Sequence, residues 1–449
     1  MVDIDLLTEK IKNMIIQREW TALRESLTDL PAPDIATLLM SLEKVERILL
    51  FRLLPRQLSS EVFSYLESGD KDTLLKELTD EEARQLLANL TPDDRTDFFE
   101  ELPGRATQRL LNLLSPGDLR EARLLLGYPE ESVGRLMTPD YVAVRPDWTI
   151  EKSLEHIRRR GKISETINVI YVTDESWKLI DALELRRFIL AEQGDTVEKI
   201  MDYSFISISA FEDREKAVQM IQHYDLDALP VVDSEGVLLG IVTVDDVLDV
   251  AQEEATEDFH KVAAVEPLKT SYRESSVSLL YRKRIIWLAV LLGVNLIASG
   301  VIAAYEELII STIALAFFIP LLIATGGNAG AQAATLMVRA IATGDVKLSQ
   351  WLWALSREIG VGLLLGATMG LSVYMLGLYR GGFEIAMIVS LAMLAIVIIS
   401  NFVGVALPFI LTRLRLDPAM ASNPLITSIA DVSGLLIYFW IAALILGMQ

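Results

Sequence analysis

The stretch "SIADVSGLLIYFWIAALIL", residues 428–446, decides the fold: it is apolar for long enough to cross a bilayer, yet it carries a carboxylate, Asp431, near its start. About 20 apolar residues cover the hydrocarbon core. A charge placed there costs roughly 2.5–3.5 kcal/mol on insertion scales, so something other than lipid has to face it. Working outward, four more stretches are long and apolar enough to span, at 285–304, 309–337, 359–378 and 386–410, with the last span at 423–446. This predicts a five-helix transmembrane domain over 282–449. Arg282, Lys283, Arg284, Arg339, Lys347, Arg357, Arg413 and Arg415 then fall on one side and only Arg380 on the other, which predicts a cytoplasmic N-terminus and an external C-terminus. An odd number of spans excludes two equal inverted halves, so a central pathway is expected at the interface of a homodimer.

The composition is split. Residues 282–449 hold nine Lys/Arg and seven Asp/Glu, leaving 32 bases and 55 acids for residues 1–281. An acidic soluble part repels phosphate backbones, which argues against nucleic acid and leaves metal cations or basic proteins as partners. The absence of cysteine excludes disulfides and thiolate metal sites. "MVDIDLLTEK" has neither a basic n-region nor an apolar h-region, so no signal peptide is expected.

Inside the spans the polar groups are oxygen-bearing. "FFIPLLIATGGNAGAQAATL" (317–336) reads as a helix interrupted at Pro320, Gly326 and Gly327, with Asn328 and Gln332 four apart on one face. Ser400, Asn401 and Pro408 mark the fourth span. In "DPAMASNPLITSIAD" (417–431), Asn423, Thr427 and Asp431 follow at four-residue intervals, about 12 Å from first to last. Small residues also serve helix packing, and a membrane acid can be protonated and hydrogen-bonded, so both plain readings stand beside the functional one. One unpaired acid, several carboxamides and no buried base favour a cation pathway for a hard ion. Hydrated Mg²⁺ fits, because it releases its waters reluctantly and binds through one or two carboxylates.

The soluble part divides in two. Residues 15–127 carry repeated helix starts, "TDEE" (79–82), "TPDD" (91–94) and "SPGD" (115–118), with leucines at three- and four-residue spacing between them. An all-α helical N-domain over 1–130 is expected. Then "LMTPDYVAVRPDWTIEKSLEHI" (136–157) parallels "IMDYSFISISAFEDREKAVQMI" (200–221), and "INVIYVTDESWKLIDALELRRFI" (167–189) parallels "DALPVVDSEGVLLGIVTVDDVL" (227–248), with the turn "DSEG" between β-branched runs. From Asp245 to Asp258, "DDVLDVAQEEATED" holds seven acids and no base, and Asp246, Asp249, Glu253 and Glu257 share a helix face. Such runs are commonly solvated faces. Like charges four apart destabilise a helix, and a divalent cation relieves that repulsion.

The duplicated β-α-β-β-α unit with "LPVVD…GIVTVDDVL" resembles a pair of CBS domains, an α/β pair over 131–195 and 196–255. In that family the positions of Thr243 and Asp246 commonly hold a nucleotide ribose, so the resemblance implies ATP as a ligand. The first copy departs from the pattern with Arg187 in "LELRR", and a structural or metal-sensing role stands as the alternative. Taken with an acidic connecting (plug) helix at 247–275 and the motifs "TGGNAGAQ" and "SNPLITSIADVSGLL", essentially the whole chain resembles the MgtE family of magnesium channels. The fold class implied is multi-domain.

That resemblance implies an Mg²⁺ channel or transporter in the cell (inner) membrane, a homodimer with the pore on its two-fold axis. Asp431, Asn328, Asn423, Gly326 and Gly327 would line it. Regulatory Mg²⁺, closing the pore, would be held by Glu61, Asp93 and Asp97 in the N-domain, Glu215 and Asp225 in the second CBS copy, and Asp246, Asp249, Glu254, Glu257 and Asp258 in the acidic helix. The family often carries another polar side chain just after the glycine–asparagine break, where Ala329, Ala331 and Ala333 stand here; if Ala331 replaces an asparagine lining the entrance, looser discrimination against other divalents is expected, with the ranking of Mg²⁺, Co²⁺ and Ni²⁺ left open. A nucleotide-regulated channel for another ion is the alternative; an anion channel would want buried bases, which the spans lack. An enzyme is not expected. His156, His223 and His260 lie outside the spans, HExxH is missing, and an aspartyl enzyme would need a second deep acid.

Overall fold

The computed structural model describes residues 4–66, 68–102, 104–268, 272 and 275–447. The chain forms two compact units, one running to Gln252 and the other comprising Glu253–Leu268 and the chain from Ser275 onward. Each is described by itself.

In the first unit, the described residues up to Leu125 form ten short helices, from Ile4–Gln17 to Pro116–Leu125. The repeated start signals act as capping chemistry predicts. The Thr79 hydroxyl accepts the Glu82 N–H at 3.3 Å while the Glu82 carboxylate accepts the Thr79 N–H at 2.8 Å, a reciprocal box that satisfies two end donors. Ser115 accepts from Asp118 in the same way, and Pro92 and Pro116 occupy first-turn positions where a missing N–H costs nothing. Leu23, Leu27, Leu38, Leu50, Phe63, Leu87 and Phe98 build the core between these helices.

Two three-stranded sheets follow, Ala143–Val144, Val169–Thr173 and Leu179–Glu184 in the first, Ile208–Ser209, Ala228–Val232 and Leu238–Thr243 in the second. In each the leading strand pairs parallel with the middle one, which pairs antiparallel with the last; Ala143 faces Tyr171 and Ala228 faces Thr243. The "DSEG" turn forms with Gly236 at φ 85°, a left-handed position that suits glycine. The two copies share a core of Tyr171, Leu179, Leu238 and Ile241. Fully buried Asp181 is satisfied by three backbone N–H groups, of Ala182 at 2.9 Å and of Asp202 and Tyr203 at 3.0 Å each, which fixes the linker between the copies.

The acidic helix is Val244–Val262, shorter than the expected 247–275. The chain turns at Ala263 and Ala264, the latter at φ 56°, and runs without regular structure to Leu268. Pro267, further on, keeps the chain from resuming a helix through Glu266. Residues 269–271, 273 and 274 of the expected helix lie outside the described residues.

In the second unit four helices are long and apolar enough to span, the first being Val277–Ala304. The next, Ile319–Ala342, corrects the sequence reading: it runs unbroken through Gly326 and Gly327, and Pro320 sits in its first turn. The irregular stretch lies earlier, in the 3₁₀ segment Ile313–Phe318. Trp351–Arg413 is continuous except at Gly382, whose φ of 76° and ψ of −168° are not helical. There it folds back on itself. A Cβ on Gly366 would meet the Leu394 carbonyl at 3.0 Å, one on Gly370 the Ser390 carbonyl at 3.0 Å, and one on Gly377 the Cα of Ala386 at 2.6 Å. These pairings define two antiparallel legs at backbone contact, and glycines along the seam permit that approach. The last long helix is Asn423–Leu446, packed through Leu435, Tyr438 and Phe439 against Ile388, Val389, Ala392 and Ile396 of the second leg.

Candidate ion pathway and acidic cytoplasmic site

Asp431 lies two turns into Asn423–Leu446, half-buried, with its Oδ1 enclosed and without a hydrogen-bond partner. One turn back, the Thr427 hydroxyl donates to the Asn423 carbonyl at 2.9 Å, and the Asn423 side-chain oxygen accepts from Thr335 at 3.1 Å, linking this helix to Ile319–Ala342. Gly326 and Gly327 are buried in the contact between helices: a Cβ on Gly327 would stand 2.7 Å from Thr427 Cγ2, and Gly326 faces Ile396 and Ser400. Asn328 and Gln332 of the same helix are exposed.

Hydropathy missed one membrane-unit acid. Asn401, 1 % exposed on the second leg, donates through Nδ2 to Glu358 Oε1 on the first at 3.0 Å. The expected third span began at residue 359, because Ser356, Arg357 and Glu358 read as a polar loop; the helix starts at Trp351.

The first unit gathers acids from three segments. Asp93, 8 % exposed at the start of helix Pro92–Glu101, has an enclosed Oδ1 with no partner. Burial holds its carboxyl well above the usual range, followed by the charges of Asp246, Asp94 and Glu165. Asp246 is pushed up to about 7, by burial first and then by Asp245, Glu165 and Asp94, although the Thr243 hydroxyl donates to it at 2.7 Å. Burial also raises Asp94, Glu165 and Asp249. Asp97 is exposed and lies 3.9 Å from Lys71, which opposes the shifts of Asp94 and Asp249. Glu165 was not anticipated; a lone acid in a loop carries no sequence signal. Among the described residues, no group of three or more acids or histidines is arranged so that it could hold a metal ion directly.

The other expected acids are placed apart. Glu61 is exposed on helix Arg56–Ser64. Glu215, in the first turn of helix Arg214–Tyr224, is half-buried and accepts from Gln219 at 3.5 Å, while Asp225 ends that helix in the left-handed region at φ 51°. In the second unit, Glu257 pairs with Lys261, and Lys261 Nζ lies 2.6 Å from Asp417 in the turn before Asn423. Burial raises Asp258, helped by Asp417 and Glu257 and opposed by Lys261 and Arg339. Glu254 is half-buried on the same helix. Val262 packs with Ala334, Val338, Ala419 and Ile426, so the helix end docks beside the start of Asn423–Leu446.

Arg187, which stands in the first copy where Asp246 stands in the second, is engaged with Asp202 at 2.6 Å and the Ile200 carbonyl at 3.3 Å.

A paired β-α-β-β-α module, an acidic helix and a set of membrane-length helices around an unpartnered acid define a multi-pass membrane transporter. Residues 319–441 match the family described as "Divalent cation transporter", MgtE, residues 30–131 its intracellular N domain, and residues 133–193 and 197–253 CBS domains. The chain is 39% identical to a magnesium transporter MgtE of Thermus thermophilus over 98% of both chains, and 35% identical to one of Bacillus subtilis over 72% of this chain and 71% of that one. A crystal structure of the cytosolic domain of the Mg²⁺ channel MgtE in complex with ATP is 36% identical, with a TM-score of 0.52, covering 54% of this chain and 99% of that one. The soluble part of a magnesium transporter is 27% identical, with a TM-score of 0.54, over 56% of this chain and 100% of that one. The chain belongs to the MgtE family of magnesium transporters.

Proposed function

We propose that the chain forms an Mg²⁺ channel with five membrane crossings, the two legs around Gly382 each making one, assembled as a homodimer with its pathway between the copies. Each leg exceeds the length of about 20 residues that a bilayer core requires. The observation that carries this reading is the enclosed, unpartnered Oδ1 of Asp431. Its isolation is costly in lipid and makes sense against a hydrated cation. Asn423, Asn328 and the backbone near Gly326 and Gly327 complete the pathway. Asp431→Ala should abolish Mg²⁺ flux into liposomes while dimers still assemble; unchanged flux removes Asp431 from the pathway. The ranking of Mg²⁺, Co²⁺ and Ni²⁺ follows from the same assay run over a divalent series.

Closure is driven by Mg²⁺ bound among the cytoplasmic acids. Without an ion, Asp93, Asp94, Asp245 and Asp246 repel one another; with it, the N-domain, the CBS pair and the acidic helix draw together. A hydrated ion reaches carboxylates through its waters, so they need not touch one metal centre directly. Glu61, Asp97, Asp249, Glu215, Asp225, Glu254, Glu257 and Asp258 add to the same switch. Moving closure from 1% to 99% requires about 5.5 kcal/mol of differential binding, a sum within reach of several modest sites. The N-terminus then lies in the cytoplasm and the C-terminus outside.

ATP binding at Thr243 and Asp246 is supported by the ATP complex of the similar cytosolic domain. Calorimetric titration of ATP into the full chain, with Asp246→Asn as the control, tests it; equal heats from both proteins remove the assignment.

A further inference from the structure

The loop at 161–168, "GKISETIN", follows the helix Ile150–Arg160 of the first CBS copy and is held by its backbone. The Glu165 N–H donates to the Asp140 carbonyl at 2.8 Å. The Asn168 side chain reaches Asp227 at 3.4 Å, and the Asp227 carbonyl accepts at 3.1 Å the N–H of Val244, the first residue of the acidic helix. The loop is therefore tied to the head of that helix, and the Glu165 carboxylate is half-buried there.

The charged groups facing Glu165 are Asp245 of the acidic helix, Asp94 of the N-domain and Asp140 of the preceding loop, all acids. Of the nearby bases, Arg95 pairs with Glu121 at 2.6 Å and Lys71 sits 3.9 Å from Asp97; Lys71 also acts on Asp94 and Asp249, and Arg160 on Asp140. Asp93, more than nine-tenths buried, keeps an unpartnered Oδ1 in the same neighbourhood, with Asp246 and Glu165 among its charged neighbours. Beside Glu165, the Ser164 hydroxyl is also enclosed and unpartnered. Three chain segments thus bring acids into one another's field, more of them than the neighbouring bases balance.

We propose that Glu165 is a further ligand of the divalent cation bound between Asp93 and Asp246, engaging it through its hydration shell and making the first CBS copy part of the sensor. This deepens, and rests on, the reading of those acids as a Mg²⁺ switch. A hydrated ion suits such a site, since among the described residues no group of three or more acids is arranged to hold bare metal and its waters can reach the carboxylates.

The test uses the full chain in liposomes with Glu165→Gln and Asp246→Asn side by side, measuring the Mg²⁺ concentration that closes the channel. Glu165→Gln keeps the side chain's size and the backbone bonds of the loop. It should raise the closing concentration by about three- to tenfold, the upper end equal to about 1.4 kcal/mol. In EDTA the same variant should unfold at an equal or higher temperature than the parent, because a repelling charge has gone; a lower temperature would mark a structural role and overturn the proposal. If Asp246→Asn shifts closure and Glu165→Gln does not, Glu165 is no ligand and the switch stands. If neither shifts closure, the switch itself fails and this proposal with it.

Discussion

Asn401 Nδ2 donates to Glu358 Oε1 at 3.0 Å across the two legs of the Gly382 hairpin. The pair joins helices whose backbones already touch at Gly362, where a Cβ would stand 3.5 Å from the same amide nitrogen. Asn401→Ala leaves the acid without that donor inside the membrane unit. A loss of about 1–3 kcal/mol is expected, seen as a lower unfolding temperature of the purified protein in detergent. Glu358→Gln, which keeps an acceptor, should lose less.

The contact of Gly330 with the second leg gives a steric prediction. A Cβ there would lie 2.9 Å from the Ser400 carbonyl, while one on Gly300 meets nothing within 4 Å. Gly330→Ala should therefore destabilise the protein by about 1–3 kcal/mol through overpacking, and Gly300→Ala should leave its stability equal or raise it by up to about 1 kcal/mol, both read by thermal unfolding in detergent.

The Asp246 carboxyl, pushed up to about 7, sets a pH dependence. A folded-state value above the unfolded one, about 3.9, means the folded protein holds the proton more tightly. Stability in EDTA is then greatest below about pH 4 for this group and falls as pH rises through to about 7, levelling off above. Asp93 adds in the same direction. Unfolding temperatures from pH 5 to 8 in EDTA should fall, Asp246→Asn should flatten the slope, and millimolar Mg²⁺ should restore the loss at the alkaline end.

Lys261 bridges Glu257 and Asp417 and so supplies a fixed cation where the acidic helix docks. Lys261→Met removes it and leaves Glu257, Asp258 and Asp417 facing one another. In divalent-free buffer the segment at 263–268 should become more accessible to protease than in the parent, and millimolar Mg²⁺ should suppress the cleavage by a larger factor.

How much of this was legible in the sequence depended on whether the signal was local. Thr79, Ser115, Pro92 and Pro116 announced their helices because capping is settled within four residues. The CBS pair was readable because its two copies repeat the same alternation. The glycines at 326 and 327 misled: each is unfavourable in a free helix, but close packing on Thr427, Ile396 and Ser400 outweighs a cost of about 1 kcal/mol per residue. The acidic helix ended at Val262, where the chain turns through Ala263 and Ala264, and no residue there announces the stop. Of the site, Asp431 and Asp246 stood out because charge in an apolar run and charge in an acidic run are each conspicuous. Glu358 and Glu165 did not, since their meaning comes from Asn401 and Asp93, partners far away in the chain.

Gly382 has a consequence for how the protein is made. A reversal accomplished at one non-helical residue leaves no intervening loop that could be passed across on its own. On the proposed five-crossing reading, the two legs would enter the bilayer as a pair in close contact along their glycines, so a bulky residue at this turn is expected to be felt during biogenesis, as degraded or mis-inserted chains, before any ion had been asked to move.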